Sequence, residues 1–187
     1  MKKGFTLIEV LVSIGLFAVI VTIAVGGLAR AFRSQRQVAS LLAASSNISL
    51  ILEQMAREMR TGIDFICDRA DPNSSCRNRI VSEVIFTNSS GEVVTYCLES
   101  GVIQRGVDSG GFDVACGDQR FEKITGDNVT VQYLNFLLLG NGNDYRGNSD
   151  GFPPRVTIAV GVSPKEVTLA DTVLSLQTTI SSRLIDE

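Results

Sequence analysis

From Phe5 to Leu28 the chain carries a predominantly apolar run of 24 residues, with a single acid, Glu9, inside it. A helix needs about 20 such residues to cross the hydrocarbon core of a bilayer, so this run is long enough. A carboxylate within such a span costs about 2.5–3.5 kcal/mol when it sits at mid-helix. Glu9 lies near one end, where reaching water avoids part of that penalty. An acid placed there still calls for a partner.

Lys2 and Lys3 precede the run, so a secretory signal peptide competes with a membrane anchor. Signal h-regions are shorter, about 7–15 residues, although Ala24-Val25-Gly26 would serve as a cleavage site. Lys2 and Lys3 favour a cytoplasmic N-terminus, while Arg30, Arg33 and Arg36 pull the other way, and charge alone leaves the orientation open. All four cysteines (Cys67, Cys76, Cys97 and Cys116) lie beyond the run. That even number points to disulfides and an oxidising, extracytoplasmic compartment. The formal charge of −3 offers no basic stripe for phosphate, which argues against nucleic acid as a partner. Histidine is absent, removing the commonest general base and the commonest metal ligand.

Residues 29–60 contain neither Pro nor Gly. Leu41, Ile48, Leu52, Met55 and Met59 recur at helical steps, giving an apolar stripe over Val38–Met59. Glu53 and Arg57 stand in the favourable i, i+4 order for an ion pair. The helix should stop at Thr61-Gly62. Phe5 to Arg60 then forms one helix of about 84 Å at 1.5 Å per residue. The adjacent Gly26-Gly27 weakens it by roughly 2 kcal/mol and makes a kink or local unwinding the expectation there.

Beyond residue 80 the period changes to alternation. Val81–Thr87, Val93–Glu99, Gly101–Arg105, an interrupted or bulged Val129–Leu139, Val156–Val162 and Leu174–Leu184 read as strands. Asn88-Ser89-Ser90-Gly91 and Ser100-Gly101 are the turns between the first three. The expected fold class is α+β. A transmembrane segment (5–28) continues into an amphipathic helical half (29–61), which packs on a disulfide-bonded antiparallel β-sheet domain (62–187).

At Lys3-Gly4-Phe5-Thr6-Leu7-Ile8-Glu9 the chain resembles type IV prepilins and type II secretion pseudopilins, which carry a short basic leader followed by these residues in this order. The motif spans seven residues; the long helix and the later change to β structure extend the likeness over the chain. The resemblance implies a leader at 1–4, cleavage between Gly4 and Phe5 by a prepilin peptidase, and N-methylation of Phe5. Losing Lys2 and Lys3 from 17 basic residues leaves 15 against 20 acidic, a formal charge of −5. It also implies that Glu9 meets the Phe5 amine of a neighbouring subunit during assembly. Two opposite charges in an apolar bundle relieve each other's burial, and mispaired subunits leave one stranded.

Leu52–Arg60, Val84-Ile85-Phe86 with Val93-Val94-Thr95-Tyr96, and Phe152-Pro153-Pro154-Arg155-Val156 are loosely similar to the larger minor subunits, J-type pseudopilins or W-type minor pilins. Retention of Glu9 argues against the K-type tip subunit. A filament subunit of this kind is not an enzyme. Its partners would be the peptidase, other pilin or pseudopilin subunits through the N-terminal helix, and an inner-membrane assembly platform. Its place would be the cytoplasmic membrane, single-pass with the C-terminal domain outside, and then an extracellular or periplasmic filament. A membrane-tethered extracytoplasmic binding module and a signal-anchored enzyme are the competing readings.

Of the three cysteine connectivities, sequential pairing (Cys67–Cys76 and Cys97–Cys116) closes two local loops, each contributing about 2–3 kcal/mol. A four-cysteine zinc site fits worse, since its ligand pairs come at two- to four-residue gaps. Asp144, Asn148 and Asp150, with Asn141 and Asn143 nearby, supply oxygen ligands for calcium, which some pseudopilins hold in such a loop. The spacing is not that of an EF-hand, and Asn, Asp and Gly are equally ordinary turn residues. Asn47, Asn73, Asn88 and Asn128 head short glycosylation sequons of little weight. No catalytic set stands out: neither a histidine triad, nor Ser-x-x-Lys, nor a phosphate-binding glycine loop.

Overall fold

The computed structural model describes residues 4, 6–66, 79–108, 115–139 and 155–182. One helix, α1, runs from Leu7 to Arg60 over 54 residues. It is unbroken through Gly26 and Gly27, so the local unwinding expected there is not found. The helical hydrogen-bond ladder needs no side chain, and two glycines weaken a helix of this length without ending it. The chain divides into two compact units, Met1–Ser40 and Leu41–Glu187, and the boundary falls within α1.

In the second unit the helix joins two antiparallel sheets. The first is ordered β1-β3-β4-β5-β6, from Ile63–Ile66 (β1), Glu83–Thr87 (β3), Val93–Glu99 (β4), Val102–Asp108 (β5) and Phe121–Lys123 (β6). The second is β2-β7-β8-β9, from Ile80–Val81 (β2), Val129–Leu139 (β7), Arg155–Pro164 (β8) and Leu174–Ser181 (β9). The expected single sheet is therefore two, and the expected strand Val81–Thr87 is split at Ser82. The split lets β2 pair with β7 while β3 pairs with β1 and β4. β7 carries the expected irregularity, between Val131 and Tyr133.

Both sheets and the helix share one core. Ile48, Met55 and Met59 from α1 are fully buried with Phe86, Tyr96, Phe136 and Ile158 from the sheets. The apolar stripe meets this core only from Ala44 onward; Val38 and Leu42 remain exposed. Two glycines shape the sheets. Ser100 and Gly101, both at positive φ, make the two-residue turn between β4 and β5. Gly161 faces Tyr133 across the β7–β8 pair, and a Cβ there would come within 2.2 Å of the Tyr133 ring. The ring is held in place by its hydroxyl, 2.8 Å from the Ser175 Oγ on β9.

Polar contacts fix how the last turns of α1 lie on the first sheet. The Glu58 carboxylate accepts the Tyr96 hydroxyl at 2.8 Å and lies 2.9 Å from one terminal nitrogen of Arg105, whose Nε is 3.2 Å away. Tyr96 is on β4 and Arg105 on β5, directly opposite in register. Burial, then the hydrogen bond to Glu58 and that carboxylate's charge, push the Tyr96 phenol well above the usual tyrosine range. For Arg105 burial opposes the charged form, yet the bond to Glu58 and its negative charge raise the guanidinium overall. Two further ties involve the helix and its end: the Asn47 Oδ1 accepts the Gly126 N–H at 3.3 Å, and the Ser182 hydroxyl donates to the Gly62 carbonyl at 2.8 Å. On the solvent face Glu53 and Arg57 pair at 3.1 Å, as their spacing expects.

Two outcomes follow for the full-length chain in mild detergent, read by chemical denaturation. Met55→Ala should lose about 2–5 kcal/mol, while Leu50→Ala, on the exposed side of the same helix, should stay within about 0.5 kcal/mol. The Tyr96 phenol is raised on folding, so its contribution is complete below the ordinary tyrosine value near 10 and is lost as pH rises through the folded value. The stability advantage of the native chain over Tyr96→Phe should therefore stay constant up to about pH 9 and shrink as the pH rises above about 10; a gap that stays constant above about pH 10 would contradict this assignment.

Candidate functional site

Gly4 and Thr6 are non-helical, and Leu7 is the first helical residue. Thr6 occupies the N-cap position: its Oγ1 accepts the Glu9 N–H at 3.4 Å, and its carbonyl accepts the N–H groups of Glu9 at 3.1 Å and Val10 at 3.3 Å. Thr6-Leu7-Ile8-Glu9 has the spacing of a capping box, with the acid at the third helical position. That position also suits an anion, because the helix dipole is positive at this end. The sequence held this signal in its T-x-x-E pattern, which the reading of Glu9 as an assembly residue passed over.

Glu9 is surrounded by exposed aliphatic side chains. Leu7, Ile8, Leu11, Ile14, Phe17 and Ile20 each expose more than half of their surface. The most apolar 18-residue window of α1 has a mean hydropathy of 2.6, and none of it is buried among the described residues. The helix is thus long and apolar enough to cross a membrane. Its hydroxyls are satisfied internally, Ser13 donating to the Glu9 carbonyl at 2.7 Å and Thr22 to the Ala18 carbonyl at 2.8 Å. Such back-bonding lets hydroxyls enter apolar surroundings without orphaned donors. Among the described residues no cation pairs with the Glu9 carboxylate.

Of the remaining expected sites, Cys97 and Cys116 are joined by a disulfide with their Cα atoms 6.2 Å apart. Cys97 lies buried on β4 opposite Gln104 of β5, and the Gln104 side-chain carbonyl accepts the Gly117 N–H at 3.0 Å. The bridge and this bond together hold the segment before β6 against the first sheet. Phe5, the Cys67–Cys76 pair and the calcium candidates Asp144, Asn148 and Asp150 lie outside the described residues. Among the described residues no three His, Cys, Asp or Glu side chains are grouped to hold a metal ion. Two sequon asparagines are engaged by their own chain: Asn47 by Gly126, and Asn88 by the N–H groups of Ser90 and Glu92 at 2.9 and 3.0 Å. The Glu58–Arg105–Tyr96 cluster was not foreseen, since no local pattern links a helix residue to one 47 positions later.

No curated protein and no solved structure matches the chain. A family model described as the prokaryotic N-terminal methylation motif matches residues 1–25, which include Gly4, Thr6 and Glu9. Through that motif, followed by one long apolar helix and antiparallel sheets, this chain carries the N-terminal signature of type IV pilins and pseudopilins.

Proposed function

We propose that this protein is a minor pilin or pseudopilin, a structural and non-enzymatic subunit that starts or caps a type IV pilus or a type II secretion pseudopilus. The observation that carries the reading is Glu9, an acid near the start of an apolar helix surface that the described residues leave uncovered. An acid in that setting is stabilised by a cation brought by another molecule. In the proposed sequence the chain sits in the cytoplasmic membrane, single-pass, with its β domain on the far side. A prepilin peptidase removes residues 1–4 and methylates the new Phe5 amine. Residues 5–28 then enter a helical bundle in which Glu9 meets the Phe5 amine of an adjacent subunit. The inner-membrane platform and the motor belong to other proteins.

The extracytoplasmic assignment is supported by the Cys97–Cys116 bridge, since disulfides persist in oxidising compartments. Cys67–Cys76 is proposed as the second bridge. Asp144, Asn148 and Asp150 are proposed to hold calcium through their side-chain oxygens. The rival, a membrane-tethered binding module that never polymerises, shares the anchor but gives Glu9 no task.

Intact mass after co-expression with a prepilin peptidase should show loss of Met1–Gly4 and one added methyl group on Phe5; an uncut chain favours the tether. Glu9→Ala should leave membrane insertion intact and reduce recovery in filaments at least tenfold, as loss of a charge-assisted contact worth about 1.5–3 kcal/mol requires. Recovery equal to that of the native chain contradicts the pairing.

A further inference from the structure

We infer that the outer edge of β9 is a self-association surface, on which a second copy of this chain lays its own β9 antiparallel, Gln177 against Gln177. The pairing is independent of Glu9 and of the proposed filament. It gives the β domain a partner of its own.

The two sheets end in four edge strands: β1, β6, β2 and β9. An edge offers a row of unpaired N–H and C=O groups to any passing strand, and proteins blunt it by shortness, charge or an irregular backbone. Three of the four are blunted in these ways. β1 carries Asp64 at φ 54° and a break in register. β6 is three residues long with Glu122 and Lys123 exposed, and β2 has only two residues. β9 uses none of these devices. It runs eight residues, from Leu174 to Ser181, with neither Pro nor charge, and all of them keep register with β8. Among the described residues no strand pairs with its other edge. The apolar layer also thins here: Leu174 and Leu176 pack on the core yet stay partly exposed, whereas Ile180 is buried.

The pattern of β9 suits a copy of itself. Across an antiparallel pair, residues directly opposite share a face of the sheet. Centred on Gln177, two copies set Leu174 against Ile180 and Leu176 against Thr178 on the core side, and Ser175 against Thr179 on the solvent side. A twofold pair brings its central residue against itself, so a charge there would meet its like; β9 has none. The antiparallel sense follows from what flanks the strand. In the sequence Asp171 precedes it and Arg183 follows it, so the ends that meet are opposite in charge, while a parallel pair would bring like charges together. Two four-stranded sheets then continue into one, and the partner's strand covers Leu174 and Leu176.

The test measures the mass of the full-length chain in mild detergent as a function of concentration, by analytical ultracentrifugation. The native chain should reach twice the monomer mass. Gln177→Lys and Gln177→Glu, at an exposed position, each set like charges opposite one another and should weaken self-association about fivefold, the upper range for a cross-strand charge pair. An equimolar mixture of the two should regain the native affinity, a rescue that a general effect on folding would not produce. Oxidation of Gln177→Cys should give a dimer linked through position 177, while Glu122→Cys on β6 stays unlinked. A native chain that remains monomeric overturns the proposal and leaves the edge to a strand of a different protein. Dimers indifferent to Gln177→Lys, or a mixture no tighter than either variant alone, also overturn it, because the contact then lies elsewhere, such as the apolar helix.

Discussion

From Leu7 to Leu28 the helix presents large aliphatic side chains on every face, and among the described residues none covers its most apolar stretch. In water that surface would drive aggregation; in lipid it is satisfied, provided that every backbone group bonds within the helix. The unbroken ladder and the back-bonded hydroxyls of Ser13 and Thr22 meet that condition. Glu9 is the exception. Its charge is tolerable beside the positive end of the helix, and the proposed assembly would give it a cation from a second molecule.

The same helix changes character without changing conformation. From Ala44 onward one face enters the core shared by both sheets, and Asn47 and Glu58 bond to the β domain. Glu58 is the clearest case: a carboxylate on a helix that leaves water only because Arg105 and Tyr96 receive it. Aliphatic side chains alone would allow the helix to slide by a turn. A carboxylate with one guanidinium and one phenol fixes a single register. Asn47 with Gly126 and Ser182 with Gly62 add ties at two other points.

The parts legible in the sequence were those written in local period. The apolar run, the helical stripe ending at Gly62, and the alternation in β4, β7, β8 and β9 are each visible within about a dozen residues. What escaped depends on distant partners. β6 is only Phe121–Lys123, an edge strand that exists because β5 pairs with it. β1 includes Asp64 at φ 54°, a left-handed residue and pairing irregularity that no alternation signals. The division into two sheets turns on Ser82, where a two-residue strand leaves one sheet before β3 joins the other. At the candidate site Glu9 stood out as a charge among aliphatics, whereas Thr6 looked like one more small residue until its hydroxyl was seen on the Glu9 N–H.

Contact between the Glu9 carboxylate and an amine from another subunit decides the proposed assembly. Zero-length carbodiimide coupling on isolated filaments, followed by peptide mass spectrometry, reads that contact directly. The expected result is an amide joining the Glu9 peptide of this chain to the N-terminal residue of a neighbouring subunit, lost when Glu9→Gln is used. Filaments that contain the chain yet give no such link, with Glu9 modified only by added water-soluble amines, would contradict it.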